Sequence, residues 1–138
     1  MTDRPMSEMI RNRRPLTLRL GTTVTETCKQ MKERQVSAAL VTDEDDLLRG
    51  IFTGRDAVRL LAQGGAADGP VEAFMTPSPN TMPLGCNAMD ALRLMQDGGF
   101  RHVPVVNDGM VMGVVSWGDF RTTELDQLGC ESNFWERI

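Results

Sequence analysis

The sequence predicts an α/β layer fold built from one supersecondary unit used twice. Three observations predict it. A pattern recurs at a spacing of 64 residues: Leu20-Gly21 returns as Leu84-Gly85, and Val24, Thr27, Cys28 and Met31 return as Ala88, Ala91, Leu92 and Met95. A second pattern, Gly50-Ile51-Phe52-Thr53-Gly54-Arg55-Asp56, returns as Gly113-Val114-Val115-Ser116-Trp117-Gly118-Asp119, now at a spacing of 63. Each copy also alternates strand, helix, strand, strand, helix, the order expected of a layered α/β unit. Two such units are expected to pack on each other, with related walls lining any cleft between them.

In the first copy, a short strand over residues 16–20 leads into a helix. Thr23 with Glu26 three residues later has the spacing of a capping box, and the helix runs to about Gln35 with Val24, Cys28 and Met31 on its apolar face. Ala38-Ala39-Leu40-Val41 is a continuous apolar run, as in a buried strand, and returns through the charged turn Asp43–Asp46 as a strand from Leu48 to Thr53. A helix over residues 55–63 follows, with Val58, Leu61 and Ala62 spaced for burial. Residues 64–70, rich in glycine, form a flexible join that is short enough to keep the two units close.

The second copy opens with a short helical lead-in, Val71–Met75, and an extended Thr76-Pro77-Ser78-Pro79. Asn87 and Asp90 repeat the cap, and the helix ends at Gly98-Gly99. Strands Val103–Val106 and Met110–Ser116 pair across Asn107-Asp108-Gly109, a turn one residue shorter than its counterpart. A last helix starts near Asp119. The expected divisions are 1–66 for the first unit with an N-terminal arm, 67–128 for the second, and 129–138 for an apolar tail carrying Phe134, Trp135 and Ile138.

Composition narrows the function. The chain of 138 residues has a formal net charge of −4, which argues against nucleic acid as a main partner. Arg4, Arg11, Arg13 and Arg14 make the arm locally basic, and the simplest reading is a solvated segment. Three cysteines (Cys28, Cys86 and Cys130) without a CxxC spacing suggest neither a disulfide framework nor a zinc knuckle, and fit a reducing cytoplasm. The first residues carry no apolar leader, and no run approaches a membrane span, so no membrane partner is expected. Ten methionines and no tyrosine point to an adaptable core.

The sharpest local signal is a hydroxyl residue followed three positions later by an acid, at the junction of a strand and a helix: Thr53 with Asp56, and Ser116 with Asp119. Two readings fit. The pair caps the helix, the acid sitting near the positive end of its dipole. Alternatively, the unpaired amides and the hydroxyl receive a phosphate while the carboxylate accepts hydrogen bonds from ribose hydroxyls. Arg55 and Arg101 are the candidates for pairing with phosphate. His102, the single histidine, is either a satisfied neutral residue or a donor beside that phosphate, and nothing accompanies it to make a metal site. Ser116, His102 and Asp119 are the residue types of a catalytic triad, but the repeat accounts for their positions, and an enzyme is not expected.

These twin motifs, together with Phe100-Arg101-His102-Val103-Pro104-Val105-Val106-Asn107, resemble a pair of CBS motifs, the tandem arrangement often called a Bateman module, over roughly residues 5–128. The resemblance implies two β-α-β-β-α motifs packed sheet to sheet about a pseudo-twofold axis. It implies a regulatory module without a covalent cofactor that binds AMP, ADP, ATP, NAD or S-adenosylmethionine. The motif aspartate would hold ribose, with the Thr or Ser near phosphate. Ser37, Ala38, Ala39 and Leu40 in one copy, and Arg101, His102, Val103 and Pro104 in the other, would line adenine, with Thr17 and Thr81 at its edge. A homodimer is also implied, with output passing in trans to a regulated protein. The alternative is a ligand-free dimeric interaction platform. The first copy departs from the pattern in lacking a proline within Ser37–Leu40, and Trp117 stands between Ser116 and Asp119, where an indole would either stack on a ligand or block it.

Overall fold

The computed structural model describes residues 3–11 and 14–136, with side chains through residue 129. The chain divides into two compact units. One comprises Arg14–Asn80 with the hairpin tip Asp108–Val111; the other comprises Met1–Arg13, Thr81–Asn107 and Met112–Ile138. The class is α/β, as expected from the alternation of elements.

The first unit is a four-stranded sheet in sequence order, with β1 Thr17–Arg19, β2 Ala38–Thr42, β3 Leu48–Thr53 and β4 Thr76–Pro77. β1 runs parallel to β2, with Thr17 beside Leu40, whereas β2–β3 and β3–β4 are antiparallel. Every residue of β2 is buried, which explains its unbroken apolar run. Asp43 shapes the acidic turn, its Oδ1 accepting from the amides of Asp45 at 2.9 Å and Leu47 at 3.1 Å.

Two helices cover this sheet. α2, Val24–Arg34, starts at Thr23, whose hydroxyl accepts from the Glu26 amide at 3.1 Å, and it stops at Gln35 in the left-handed region. The buried Thr27 hydroxyl donates to the Thr23 carbonyl at 2.8 Å and is thereby satisfied. α3, Gly54–Ala62, buries Asp56 and Leu60. Val58 and Leu61, expected to face inward, are 66% and 75% exposed, and Ala62 is exposed as well. The phase of α3 is the reason. Asp56 is tied back to the helix start, so the inward stripe runs through residues 56, 57 and 60. At about 100° per residue, positions 58 and 61 lie on the far side.

The glycine-rich join, expected to be flexible, bonds to the start of α2. The amides of Val24 and Thr25 donate to the carbonyls of Gly69 at 3.0 Å and Ala67 at 2.9 Å. These amides have no partner within their own helix. The join leads into a 3₁₀ turn, Val71–Ala73, whose Val71 packs with Val24, Val41, Phe52 and Leu60.

The second unit repeats this arrangement. The hairpin of β5 His102–Asn107 and β6 Met110–Ser116 forms a two-stranded sheet, and Met82 bridges in parallel to Val105 as β1 does to β2. α4, Ala88–Gly98, packs its buried face of Ala88, Met89, Ala91, Leu92 and Met95 onto the hairpin, and ends at Gly99 with φ of 71°. A 3₁₀ turn over Trp117–Asp119 stands where the last helix was expected, and the helix itself, α5, spans Thr122–Glu136. Phe134, Trp135 and Ile138, read from the sequence as an apolar tail, have side chains outside the described residues, as does Cys130.

The N-terminal arm is not a solvated segment. Residues 6–9 form helix α1, in which Met6 is 0% and Met9 5% exposed, followed by Ile10 at 9%. The arm groups with the second motif, although the sequence attached it to the first. Its Arg4 carbonyl and Asp3 carboxylate accept from the Ala88 and Met89 amides at 2.6 and 3.1 Å, at the start of α4. Pro5 bridges to Asn87 as Pro70 does to Thr23. Residues 5–10 are therefore the structural counterpart of residues 70–75. Ile10 lies over Gly113 as Met75 lies over Gly50. Arg11 and Arg14 are exposed, and Arg13 lies outside the described residues. Among the described residues no helix is long and apolar enough to cross a membrane.

The two glycines should respond differently to alanine. A Cβ at Gly113 would lie 2.8 Å from Ile10 Cβ, a position fixed by the backbone, whereas a Cβ at Gly50 would lie 2.3 Å from Met75 Sδ, on a side chain free to turn away. Gly113→Ala is expected to cost about 2 kcal/mol and Gly50→Ala about half that or less. Urea unfolding of both variants checks the order.

Candidate functional site

The strand register gathers the candidate residues of the first motif. Ala38 pairs with Thr53, which places Ser37 and Ala38 at the β2 start beside the β3 end and the head of α3. Thr17 lies one strand away, exposed, while Leu16 and Leu18 on either side of it are buried. Ala39 and Leu40 are 0% exposed, and Ala39 packs with Leu16 and Leu18 in the core. Arg55 is exposed on the first turn of α3.

At the head of α3, Asp56 is 2% exposed. Its Oδ2 accepts from the Thr53 amide at 2.9 Å and the Thr53 hydroxyl at 3.3 Å. Its Oδ1 accepts from the Thr76 hydroxyl at 3.1 Å and faces Arg59 Nη1 at 3.4 Å. Asp56 is thus a reciprocal cap with Thr53, and Thr76 is a residue that sequence reasoning missed. The signal was out of reach of spacing, because Thr76 arrives through the pairing of β4 with β3, in which it faces Ile51.

The second motif reproduces the turn with different surroundings. The Ser116 amide donates to Asp119 Oδ2 at 2.8 Å, and the capping pair is again reciprocal. Asp119 is half-buried rather than sealed. Burial pushes the His102 imidazole below its ordinary pKa, and the nearby Asp119 charge opposes that shift. The Arg101 guanidinium lies over the Trp117 indole, 4.8 Å from its centroid, and the Trp117 amide donates to the Arg101 carbonyl. Trp117 therefore already holds a cation, and Arg101, a candidate for phosphate, is stacked on it. Thr81 is exposed, whereas Val103 and Pro104 are buried in β5.

A second missed group is the buried ion pair of Arg4. Its Nε and Nη2 donate to the two Glu124 oxygens at 2.9 and 2.6 Å, and Nη2 also reaches the Asp119 carbonyl at 3.2 Å. The side chains are 14% and 8% exposed. The Arg121 amide donates to Glu124 as well, at 2.7 Å. The hydrogen bond to Arg4 leads in holding the Glu124 carboxyl below the usual range, against the opposing effect of burial.

Two cavities lie elsewhere in the first unit. One of about 350 Å³ runs between α2 and α3 along Cys28, Leu60 and Leu61; one of about 640 Å³ sits near Leu20, Arg49, Glu72 and Ser78. Neither is lined by Thr53, Asp56 or Thr76. Burial raises the pKa of the Cys28 thiol, which makes it a poor nucleophile. Among the described residues, no group of three or more His, Cys, Asp or Glu could hold a metal ion.

The family model of the CBS domain matches residues 7–63 and 71–125, and the chain belongs to the CBS domain family. A CBS domain-containing protein of Arabidopsis thaliana is 40% identical over 108 residues, covering 77% of this chain but 19% of that protein. This chain thus spans about a fifth of the length of that curated relative. A CBS domain protein from Pyrobaculum aerophilum, solved in complex with AMP, superposes with a TM-score of 0.83 at 28% identity, covering 91% of this chain and 98% of that one. A CBS domain pair solved with 5′-methylthioadenosine and S-adenosyl-L-methionine shares the fold, with a TM-score of 0.78 at 23% identity over 94% of this chain and 98% of that one.

Acid should weaken the fold through Glu124. Its folded pKa is depressed. The stability this provides is full above the unfolded value of about 4.3 and is lost as pH falls through the folded value. Glu124→Gln is expected to cost about 1–2 kcal/mol at neutral pH and to flatten the acid limb. Urea unfolding as a function of pH, for both proteins, measures this.

Proposed function

We propose that this chain is a regulatory module that binds an adenosine-containing ligand non-covalently, with AMP the first candidate among AMP, ADP, ATP, NAD and S-adenosylmethionine. The observation that carries the reading is the hydroxyl-x-x-aspartate turn, present at Ser116–Asp119 as at Thr53–Asp56, in a chain whose relative of TM-score 0.83 was solved with AMP. The cap spends only one carboxylate oxygen on its own helix, Oδ2 in both motifs. A carboxylate has about four acceptor positions, so capping and ribose binding use the same group without exclusion. Ser37, Thr53 and Arg55, and in the other motif Thr81, Arg101, His102 and Ser116, supply the surrounding polar contacts. The core residues Ala39, Leu40 and Val103 act by shaping the strands. Binding changes the affinity of the module for a regulated protein in trans, through the difference in ligand affinity between two conformations. No catalytic step and no covalent cofactor belong to this reading. The motif divisions at 1–66, 67–128 and 129–138 are retained, with residues 5–10 serving the second motif structurally.

A second reading, a dimeric interaction platform, is favoured by α3. Val58 and Leu61 stand 66% and 75% exposed on one face of that helix. Association of two copies through this face would bury them and is compatible with ligand binding. Under this reading Leu61→Glu turns a dimer into a monomer without loss of stability, which light scattering after gel filtration detects; a monomeric starting protein refutes it.

The ligand reading is checked by thermal and urea denaturation with AMP, ADP, ATP, NAD and S-adenosylmethionine. A ligand at a hundredfold its dissociation constant should stabilise the fold by about 2.7 kcal/mol. Asp119→Ala should abolish the response and leave a folded protein. No shift with any of the five ligands would refute the reading.

A further inference from the structure

We propose that the cavity between α2 and α3 is a binding site for an unbranched aliphatic carboxylate of medium chain length. The inference is independent of the nucleotide reading above. None of Thr53, Asp56 and Thr76 lines this cavity, and its guest carries no nucleoside.

The argument begins with charge. Of the 15 lysines and arginines in the chain only two are lysines, Lys29 and Lys32, and both line this cavity. They stand about one turn apart on α2 and are exposed, and no ion pair among the described residues holds either. Lys32 lies in the last turn of α2, where a cation suits the helix dipole. Lys29 lies before that turn, so the dipole accounts for one of the two only. A lysine places a compact charge at the end of an apolar stem, and the stem continues an apolar wall while the ammonium stays in water. Two such groups beside an apolar cavity complement an anion that carries a hydrocarbon tail.

The interior selects the tail. Val24 and Leu60, which line it from the two helices, are 3% and 2% exposed and belong to the packed core. Cys28, Ala57 and Ala67 complete walls without an aromatic ring, which suit an aliphatic chain. The Thr25 hydroxyl donates to the Ala67 carbonyl at 2.9 Å, and the Thr25 amide donates to the same oxygen at 2.9 Å. These polar groups are spent on each other, which leaves the two ammonium groups as the strong donors of the lining. Leu61 also lines the cavity and is 75% exposed, so a guest enters from solvent and removes that side chain from water. The volume, about 350 Å³, falls near the lower end of small-molecule sites. A docking helix is about 10–12 Å across and needs room for several anchors, more than this cavity receives. From Thr25 to Lys32 the helix advances about 10 Å. With carbon–carbon bonds of about 1.5 Å, that length takes a zigzag chain of roughly eight carbons. The dimeric platform would cover the same Leu61 with a second copy, so the two occupants are alternatives.

Calorimetric titration of the full chain with hexanoate, octanoate, decanoate, dodecanoate and neutral decanol, each below its micelle concentration, tests the inference. Affinity should rise about fourfold per methylene from hexanoate to octanoate and level off beyond decanoate. Lys29→Gln and Lys32→Gln together, both at exposed positions, should weaken decanoate about tenfold and leave decanol unchanged. Thiol labelling read by mass spectrometry places the guest. It is run at alkaline pH, because burial raises the Cys28 pKa. Decanoate at about a hundredfold its Kd should slow modification of Cys28 at least about tenfold and leave Cys86 unaffected. Absence of chain-length dependence, undiminished decanoate binding in the double variant, or Cys28 labelling indifferent to decanoate overturns the inference. So does a dimer, split by Leu61→Glu, in which protein concentration rather than decanoate shields Cys28, since a second copy then fills the place. Uptake onto phosphatidylglycerol vesicles without binding of monomeric decanoate also overturns it, the lysines then serving a membrane surface.

Discussion

The docking of a preceding chain segment onto the open end of a helix governs both units. A helix begins with amides that have no partner of their own. In α2 two of them are satisfied by Gly69 and Ala67; in α4 two are satisfied by Arg4 and Asp3. Each lead-in, once bonded there, is committed in direction. It then lays Val71 and Met75, or Met6 and Ile10, into the core of its unit, and in the first unit brings Thr76 to the strand that ends in the hydroxyl-x-x-aspartate turn. Gly50 and Gly113 recur in the repeat because a side chain crosses each of them at close range. The local requirement of a helix end is in this way passed to the residues around the acid.

This coupling gives the aspartate two tasks. As a cap it holds the end of a strand against the start of a helix, and its burial in α3 turns that helix so that Leu60 faces in and Val58 and Leu61 face out. As an acceptor it has capacity left over only if its surroundings leave some. Ligand binding and stability therefore draw on one group, and a substitution there tests both unless a conservative variant separates them. Arg4 extends the same economy in the second unit. It joins the arm to Glu124 on α5 and to the Asp119 carbonyl, so the loop carrying the acid is held from its backbone as well as from its cap.

Much of this was legible in the sequence because it is local. The strands, hairpins and helices follow from periodicity and turn residues, and the pairs Thr53 with Asp56 and Ser116 with Asp119 follow from capping spacing. What was not legible depended on contacts distant in sequence. Arg4 finds Glu124 across 120 residues. The arm reads as polar because its arginines dominate it, although Met6, Met9 and Ile10 repeat the apolar positions of Val71, Phe74 and Met75. With proline as the one identical residue in that stretch, the second copy hides behind ordinary hydrophobic exchange. The inward face of α3 was misread for a related reason. Counting apolar residues favoured Val58 and Leu61, but a charged residue bonded at the helix start fixed the phase instead.

A duplicated motif keeps its frame while its surroundings diverge. Duplication preserves what the backbone requires: the glycine beneath a crossing side chain, the hydroxyl and acid of the cap, the lead-in on the helix end. It does not preserve the residue that follows the crossing, Thr76 in one unit and Arg11 in the other. In the first unit that place is Thr76, whose hydroxyl donates to Asp56; in the second it is Arg11, which is exposed. A threonine hydroxyl is short and neutral and satisfies the acid where it stands. An arginine is long and charged and stays hydrated when exposed, as Arg11 is. The frame thus fixes where two acids sit, and the residues packed around each acid set how deeply it is buried, Asp56 at 2% exposure and Asp119 half-buried.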